Sequence, residues 1–434
     1  MSTPSDLTTT AATAPTTAAS DFSLDSEKKT FVTSWQGYTA KLKSGDLGPI
    51  PALLGITVLT VIFGFARTDT FLSVRNFGNL IQQAAPIIVI SMAVSFVLLL
   101  GDIDLAAGFT AGVVAAVLAT RLQGDWPLLA VIALTTVVSA IMGMWTGFFV
   151  AKVGVPSFVV TLANFLSFQG IVLLITTDGG SIGVSNKTVV AIENSNLSVT
   201  LSWAVALLGV AVFALSTLRR QMASPHTNPL SVAVAKIGAV ALGAIVFVGM
   251  LSKNRAFANA QKKIVGVPYA APTVIVILVV MTFLLTRTAW GRHLYAVGGN
   301  QEAARRAGIN VGRIRMSAFI VCALLAGVGG YFLASQLGSA NPQIGGGDTL
   351  LLAVGAAVIG GTSLFGGKGR LFNAVLGGTV LAIINNGLPL VSKAKPFGLF
   401  DIDFSESGIK FIVNGLVLLL AGSVDALSRK RSAA

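Results

Sequence analysis

The sequence predicts an all-α protein that forms a polytopic transmembrane helical bundle. Of its 434 residues, 54% are hydrophobic and only 11% are charged, with a mean hydropathy of +0.81. An average soluble domain carries about 25% charged residues. The 47 glycines also fit this class, because small residues allow transmembrane backbones to approach closely.

Twelve apolar segments are candidates for membrane crossings, since a spanning helix needs about 20 mostly apolar residues. In chain order they are 49–65, 78–100, 105–122, 126–150, 156–177, 199–218, 229–251, 268–285, 316–337, 350–359, 372–391 and 410–423. The tenth is too short to cross at full depth, which predicts a broken or re-entrant helix. We therefore expect ten to twelve spans, with both termini on one side.

The segments outside the spans predict three further regions. Residues 1–30 are rich in Ser, Thr, Ala and Pro and lack the apolar run of a signal peptide, which predicts a disordered tail. In residues 31–47, Phe31, Trp35 and Tyr38 recur at helical spacing, which favours an interfacial amphipathic helix over a surface turn. Residues 48–428 would form the membrane domain and 429–434 a basic tail.

The net charge of +13 comes from residues in short loops and not from a basic stripe with interleaved aromatics, so nucleic acid is not an expected partner. Most cations fall on loops that share a side with both termini, and the positive-inside rule makes that side cytoplasmic. The basic residues on this side are Arg219, Arg220, the run 287–315, Lys368, Arg370 and 429–431. One loop disagrees, because Lys253, Arg255, Lys262 and Lys263 would lie outside. Either the segment 229–251 does not cross, or the bias is overruled locally.

The longest of these cytoplasmic loops, within residues 287–315, contains a short predicted helix. Asn300 is a good N-cap, the residues after it are strong helix formers, and Gly308 is a natural C-terminal stop. Glu302 lies at the positive end of the helix dipole. A two-turn helix is marginal alone in water, so docking to a partner would stabilise it.

The sequence of this loop also resembles a motif of a known protein family. Glu302, Ala303, Ala304 and Gly308 match the EAA loop of ABC-importer permeases, the helix that enters a groove on the ATPase subunit. The string YAVGGNQEAARRAGINVGRIR, followed by GGTSLFGGKG and INNGLPLV, resembles the ribose/xylose/galactose branch of bacterial sugar-importer permeases. PSFVVTLANFLSFQG and GDIDLAAG resemble two further landmarks of that branch, and the five occur in family order. The extra segment 229–263 resembles the longer, xylose-type permeases.

The resemblance implies a non-catalytic pore subunit in the bacterial cytoplasmic membrane. Its implied partners are an ATPase subunit that binds ATP and magnesium, an extracytoplasmic sugar-binding protein, a second copy of the chain and membrane lipid. Asn300, Glu302, Ala303, Ala304, Arg305 and Gly308 would couple to the ATPase. The sequence also departs from the family, since the second-half hairpin carries Leu350–Leu352 with only Asp348 before it, where many members have several acidic residues.

Two carboxylates, Asp102 and Asp104, follow an apolar run. A carboxylate at mid-bilayer costs about 2.5–3.5 kcal/mol on insertion scales, so such residues usually face protein or water. We favour a turn at the cytoplasmic end of a span, with Asp104 capping the next helix. The alternative is a proton relay in a secondary sugar transporter driven by an ion gradient.

Four neutral amides inside the spans are candidates for the substrate pathway: Asn164, Gln169, Asn385 and Asn386. Amides exchange hydrogen bonds with sugar hydroxyls at low desolvation cost. The competing interpretation is interhelical hydrogen bonding. The two histidines, His226 and His293, lie in no metal-ligand motif, so no metal site is expected.

The stretch GGTSLFGGKG, residues 360–369, is similar to a phosphate-binding loop but lacks two of its parts. Thr362 occupies the position of the first glycine, and Gly369 follows Lys368 in place of the magnesium ligand. We interpret Gly360, Gly361, Gly366 and Gly367 as the turn of a membrane hairpin. Comparison with GDIDLAAG, with Gly101 opposite Gly360, suggests an internal repeat of a kind found in transporters.

Overall fold

The computed structural model describes residues 48–176, 180–223, 230–391, 393–394, 402–404 and 406–433. Within these ranges the chain is almost entirely helical, so the all-α, polytopic prediction is confirmed. Eight helices are long and apolar enough to cross a membrane, and four shorter apolar helices account for the remaining predicted segments. The predicted tail 1–30 and interfacial helix 31–47 lie outside the described residues.

The helices, numbered along the chain, are α1 Ile50–Ala66, α2 Thr68–Phe71, α3 Val74–Leu98, α4 Ala107–Gln123, α5 Leu128–Phe148, α6 Ser157–Ile175, α7 Lys187–Asn194, α8 Val199–Ala223, α9 Leu230–Leu251, α10 Ala270–Arg287, α11 Ala289–Gly299, α12 Gln301–Arg306, α13 Val311–Leu337, α14 Gly347–Ile359, α15 Leu371–Val391 and α16 Ser407–Ala433. A π-helical turn, Phe149–Val153, extends α5. Two short antiparallel strand pairs join β1 (Ile182–Gly183) to β2 (Ser339–Ala340) and β3 (Lys393–Ala394) to β4 (Ile402–Asp403). Helix α16 extends to Ala433, so it includes most of the basic stretch 429–434 that was predicted as a tail.

The bundle has two ends, which we name by their characteristic residues. The glycine end contains the turns of Gly101 and Gly366 and the end of α11 at Gly298, which contact one another. The arginine end contains Arg75 and Arg255, which are hydrogen-bonded together. Helix α3 runs from the arginine end to the glycine end, and α13 runs beside it in the opposite direction.

Helix α3 forms the centre of the bundle and packs against α13, α14 and α15. Because other helices surround α3, 72% of the residues in its most apolar stretch are buried. In the corresponding stretch of α8, 6% of the residues are buried. Local signals define both ends of α13. Asn310 caps its start by accepting a hydrogen bond from the N–H of Arg313, and Gly338, in a left-handed conformation, follows its last residue. Helices α3 and α13 therefore form the core together. Helix α3 ends, and α13 begins, at the loops of the glycine end.

The short tenth apolar segment is a helix of 13 residues, α14, about 20 Å long at 1.5 Å per residue. The chain leaves β2 at the arginine end and enters the bundle without helical structure as far as Gly346. Gly345 packs on the backbone of Gly108 in α4 so closely that a Cβ would overlap it. The structure thus has the broken helix that the sequence predicts, with its non-helical part covered by α4.

Helices α8 and α9 form a peripheral hairpin that packs mainly on itself. It contacts the rest of the bundle near the arginine end, where Phe247 meets Phe77 of α3 edge-to-face at 5.7 Å. Helix α9 has 22 residues and is one of the eight helices that are long and apolar enough to cross a membrane. The loop 252–269 lies at the arginine end, where Arg75 of α3 donates to the backbone carbonyl of Arg255. A crossing by α9, and the side of the membrane on which this loop lies, stay predictions.

Candidate functional site: a helix at the glycine end and the polar residues of the bundle

Helix α12 projects from the glycine end. It begins after Asn300, whose side chain accepts a hydrogen bond from the N–H of Ala303 at 2.9 Å, and it is followed by Gly308 with φ +82°. Only Ala304 is buried, and the other residues of α12 are exposed. Glu302 pairs with Arg305 and Arg306 at 3.3 and 3.1 Å on the exposed surface, where such pairs contribute little stability. The helix therefore presents almost its whole surface to solvent.

A bidentate ion pair attaches the segment that follows α12 to the centre of the bundle. The guanidinium of Arg315, in the second turn of α13, donates to both oxygens of Asp102 at 2.9 and 2.7 Å. Asp102 lies in the turn after α3 and is buried. Fork-to-carboxylate pairs of this kind are directional as well as strong. Asp102 lies in the predicted turn, but its partner Arg315 was not predicted from the sequence.

The segment before α12 is attached to the second glycine-rich turn. Tyr295 of α11 donates a hydrogen bond to the carbonyl of Gly369 at 2.7 Å, and burial raises the pKa of Tyr295, so its hydroxyl keeps its proton. Gly298 lies against the carbonyl of Leu99, where any side chain would overlap that oxygen. Leu99 also accepts a hydrogen bond from the N–H of Gly367 at 2.9 Å. Both turns and both flanks of α12 therefore form one contiguous assembly.

The two turns share a backbone pattern that corrects the repeat alignment predicted from sequence. Asp102 N–H bonds to Val97 five residues back, and Thr362 N–H bonds to Ala357 in the same way. The residues before them, Gly101 and Gly361, have φ +80° and +100°. Both helices thus end in a Schellman motif, and Gly101 corresponds to Gly361, not to Gly360. The identity-based alignment was wrong by one residue, since backbone conformation and not residue type defines the equivalence.

Asp104 lies in the turn after α3 and is 4% exposed. Its Oδ1 accepts the N–H of Ala106 at 2.9 Å, immediately before α4, and its Oδ2 lies 3.5 Å from the Cys322 sulfur in α13. The N-cap residue of α4 is Ala106, and no side chain caps it. Asp104 therefore orders the turn before α4 through a bond to the residue two positions on, and the prediction that it caps the helix itself was wrong.

A polar cleft of about 320 Å³ adjoins α12. It is lined by Ala151, Gln301, Arg305, Ile309, Asn310, Val311, Gly312 and Arg315. Its walls come from α12, the start of α13 and the π-helical turn after α5. The cleft therefore connects the exposed helix with the Arg315 ion pair.

The four amides predicted for the pathway fall into two separate groups. Asn164 of α6 is buried and donates to Thr146 of α5 at 2.9 Å, and Gln169 is half-buried on the same helix. Asn385 and Asn386 lie on α15, where Asn385 accepts from Asn414 of α16 at 3.0 Å. Helix α6 packs on α4 and α5, whereas α15 packs on α3, α14 and α1. The structure does not bring the two groups together.

Asn386 belongs to a chain of hydrogen-bonded amides, of which only Asn386 was predicted from the sequence to lie in the pathway. It accepts a hydrogen bond from Asn76 at 2.8 Å and donates to Gln83 at 3.2 Å, both on α3. These residues belong to the polar start of α3, NFGNLIQQ, whose amides in a largely apolar segment were the available signal. The amides join α15 to the central helix near the arginine end.

A second cavity, of about 460 Å³, lies between α14, α15 and α16. It is lined by Asp348, Leu351, Leu352, Gly355, Ile359, Leu381, Phe411, Asn414, Gly415 and Leu418. The side-chain oxygen of Asn414 is buried and has no hydrogen-bond partner among the described residues. Asp348, at the start of the broken helix α14, is exposed. The cavity thus places one carboxylate and one unpaired amide oxygen in mainly apolar surroundings.

Comparison with known proteins adds a family context to this geometry. Residues 76–421 match the family described as "Branched-chain amino acid transport system / permease component". The chain is 34% identical to the xylose transport system permease protein XylH of Escherichia coli K12, over 94% of this chain and 98% of that protein. It is 30% identical to XylH of Haemophilus influenzae, over 90% and 99% of the two chains. It is 27% identical to the ribose import permease protein RbsC of Escherichia coli K12, over 86% and 92%. A comparison with solved structures found no match.

Proposed function

The chain belongs to the permeases of ABC sugar importers of the xylose/ribose type, and from that premise we propose that it forms a monosaccharide pathway and couples to a separate ATPase through α12. A pentose such as xylose is the favoured substrate, because the relatives with the highest identities given above are named for xylose. The observation that carries the coupling proposal is that α12 is exposed on nearly all sides while both of its flanks are fixed to the buried turns.

The coupling mechanism follows from that attachment. A groove on the ATPase would receive α12, and ATP-driven closure of the ATPase would displace it. The Arg315–Asp102 pair and the Tyr295–Gly369 bond would transmit the displacement to the turns after α3 and α14. A rigid-body shift between outward-facing and inward-facing states would follow, because packed helices move as units. The residues proposed to contact the ATPase are Asn300, Glu302, Ala303, Ala304, Arg305 and Gly308.

This mechanism places the glycine end in the cytoplasm. The basic residues of loops and helix ends at this end include Lys152, Arg292, Arg305, Arg306, Arg313, Lys368 and Arg370, in agreement with the positive-inside rule. Both termini would then be cytoplasmic, in a multi-pass protein of the bacterial cytoplasmic membrane. ATP and magnesium would bind the partner ATPase, and a second copy of this chain would complete the membrane unit.

For the substrate pathway we propose the amides of α15, Asn385 and Asn386, together with Asn414 and Asp348. Asp348 and Asn414 line a cavity of about 460 Å³, which is of the size and type that small-ligand sites use. Asn385 adjoins it through its hydrogen bond with Asn414, whereas the side chain of Asn386 bonds to α3. Asn164 and Gln169 would contact substrate only in another conformation or beside the second copy of the chain. Replacement of Asn414 by Leu would reduce uptake without loss of the inserted protein.

The coupling proposal is tested with two α12 variants, Glu302→Ala and Gly308→Pro. Both should abolish sugar uptake and weaken co-purification of the ATPase, while the protein remains inserted in the membrane. Lys187→Ala, an exposed change at the arginine end, is the matched control and should leave both readouts unchanged. Normal uptake by either α12 variant in cells that lack the ATPase would overturn the proposal.

The alternative function, a secondary transporter driven by an ion gradient, makes the opposite prediction. Asp104 would then carry a proton, and Asp104→Asn would be inserted but inactive. If Asp104 instead orders the turn before α4, Asn at this position accepts the same backbone hydrogen bond and transport is retained. Uptake that persists without the ATPase and collapses with the proton gradient would favour the alternative.

A further inference from the structure

The loop 252–269 at the arginine end carries a concentration of positive charge. Lys253, Lys262 and Lys263 are all exposed, and the segment 252–269 contains no acidic residue. Among the residues that the structure describes, none of the three lysines forms an ion pair. Under the proposed orientation this loop is extracytoplasmic, where the positive-inside rule disfavours Lys and Arg. The lysines therefore require an explanation other than membrane topology.

The fourth cation of the loop, Arg255, has a structural role. Its side chain is 5% exposed and donates to the carbonyl of Gly266 and to the side-chain oxygen of Asn196, both at 2.7 Å. Its backbone N–H bonds to the carbonyl of Ile264 at 2.9 Å, which closes the loop on itself. Arg255 thus serves the fold of the loop, whereas the three lysines do not.

The loop is also fixed to the central helix. Arg75, in the first turn of α3, donates to the backbone carbonyls of Arg255 and Ala256 at 2.7 and 2.9 Å. The same guanidinium lies 3.6 Å from the centre of the Phe257 ring. Phe257 is nevertheless 66% exposed. The loop therefore holds an exposed aromatic ring and three lysines on a rigid base.

We propose that Lys253, Phe257, Lys262 and Lys263 form a docking surface for an acidic face of the extracytoplasmic sugar-binding protein. This inference rests on the proposed function. Complementary charge steers a protein partner and fixes its orientation, and an exposed aromatic residue is a typical anchor of protein interfaces. A pre-ordered loop loses little conformational freedom on binding. The neighbouring residues of the loop include the polar side chains of Asn254, Asn259 and Gln261, which favours a protein partner over insertion into lipid.

The test uses the full transporter, with this chain and its ATPase in nanodiscs, and the binding protein that stimulates the wild-type complex. The triple variant K253E/K262E/K263E should weaken binding by about tenfold or more at low salt, and the difference should shrink at high salt. Phe257→Ala should weaken binding at both salt concentrations. Lys187→Glu, at the same end but outside the loop, is the control and should bind normally.

Basal ATP hydrolysis and ATPase co-purification report separately on the proposed function. If the ATPase does not co-purify with the wild-type chain, the proposed function fails. If it co-purifies and hydrolyses ATP normally, but the triple variant binds as tightly as wild type, the docking inference alone is overturned. Nanodiscs of purely zwitterionic lipid provide one more comparison. Loss of the charge effect in that lipid would assign the lysines to anionic headgroups and also overturn the inference.

Discussion

The two ends of the bundle each contain an arginine that is largely withdrawn from solvent, but the partners of these arginines differ. At the glycine end, Arg315 bonds to a carboxylate, Asp102, on another element of the bundle. At the arginine end, Arg255 bonds to a carbonyl and an amide oxygen, with no carboxylate among them, and burial lowers the pKa of Arg255. The first arrangement compensates charge between two elements, whereas the second uses a charged side chain to order one loop.

The difference indicates separate tasks for the two ends. An ion pair between two helices can transmit displacement, because each partner belongs to a different rigid element. The hydrogen bonds of Arg255 serve to hold one loop in a single conformation. We therefore expect changes at the glycine end to affect transport more than stability, and changes at the arginine end to affect stability and docking more than basal coupling.

The largest effect should come from breaking the ion pair at the glycine end. Asp102→Asn keeps the shape of the side chain but leaves Arg315 without a counter-charge. Because Arg315 is partly exposed, water can solvate it, and the loss of stability should stay well below the roughly 3–5 kcal/mol of a fully buried pair. Uptake should fall at least tenfold in a proteoliposome assay. The double variant D102N/R315Q should recover part of the loss in a double-mutant cycle. Full uptake by Asp102→Asn would mean that the pair does not transmit motion.

The second prediction concerns the anchor at the arginine end. Arg255→Ala removes two hydrogen bonds and leaves buried acceptors unpaired, each at a cost of about 1–3 kcal/mol. The detergent-solubilised protein should melt several degrees lower, and proteolysis within the loop 252–269 should accelerate. Basal ATP hydrolysis by the assembled transporter should change little. Both hydrogen bonds come from Nη2 of Arg255, so Arg255→Lys, with one donor nitrogen on a shorter side chain, should restore part of the stability. Equal loss of basal hydrolysis in Arg255→Ala and Asp102→Asn would remove the distinction between the ends.

The third prediction uses a buried carboxyl at the arginine end. Glu193 of α7 is 1% exposed, and its carboxyl oxygens have no hydrogen-bond partner among the described residues. Burial raises its pKa from 4.5 to about 9. Between these values the folded state keeps a proton that the unfolded state has lost, so stability falls as the pH rises.

Glu193→Gln cannot ionise and should remove this dependence. The melting temperature of the variant relative to wild type should increase between pH 5 and pH 8.5. Parallel profiles for Glu193→Gln and wild type would show that Glu193 does not retain its proton.

The smallest effect is expected from a substitution between the two ends of the bundle. Asn164→Ala removes one interhelical hydrogen bond, to Thr146, and such bonds contribute about 0.6 kcal/mol in membranes. The melting temperature should fall by about 1–2 °C, and uptake should remain near normal. A large loss of uptake with unchanged melting temperature would instead place Asn164 in the substrate pathway.

Much of the fold could be predicted from the sequence because the membrane imposes strong constraints on helix length and polarity. All twelve apolar segments correspond to helices, and the short segment at 350–359 is the broken helix α14. The helix after Asn300 follows from local capping signals. These features depend on residues close together in the sequence, which pattern analysis can evaluate.

The long-range partners could not be predicted in the same way. Asp102 and Arg315 are 213 residues apart, and nothing in either local pattern identifies the other. Arg255 was counted with the lysines of its loop, although its side chain is buried by contacts with Asn196 and Gly266. Gly101 and Gly361 share a left-handed backbone conformation. The sequence comparison paired Gly101 with Gly360 instead, because Gly360 and Gly361 are identical residues next to each other. Each of these depends on packing between distant segments.

The dependence of α14 on α4 has a consequence for biogenesis. Thirteen residues are too few for an insertion machinery to release as an independent span, and the non-helical backbone before them cannot face lipid. In the folded protein this backbone is covered by α4, where Gly345 packs against Gly108. We therefore expect residues 341–359 to integrate stably only with α4 in place, and a substitution at Gly108 to lower the amount of inserted protein rather than the rate of transport per molecule.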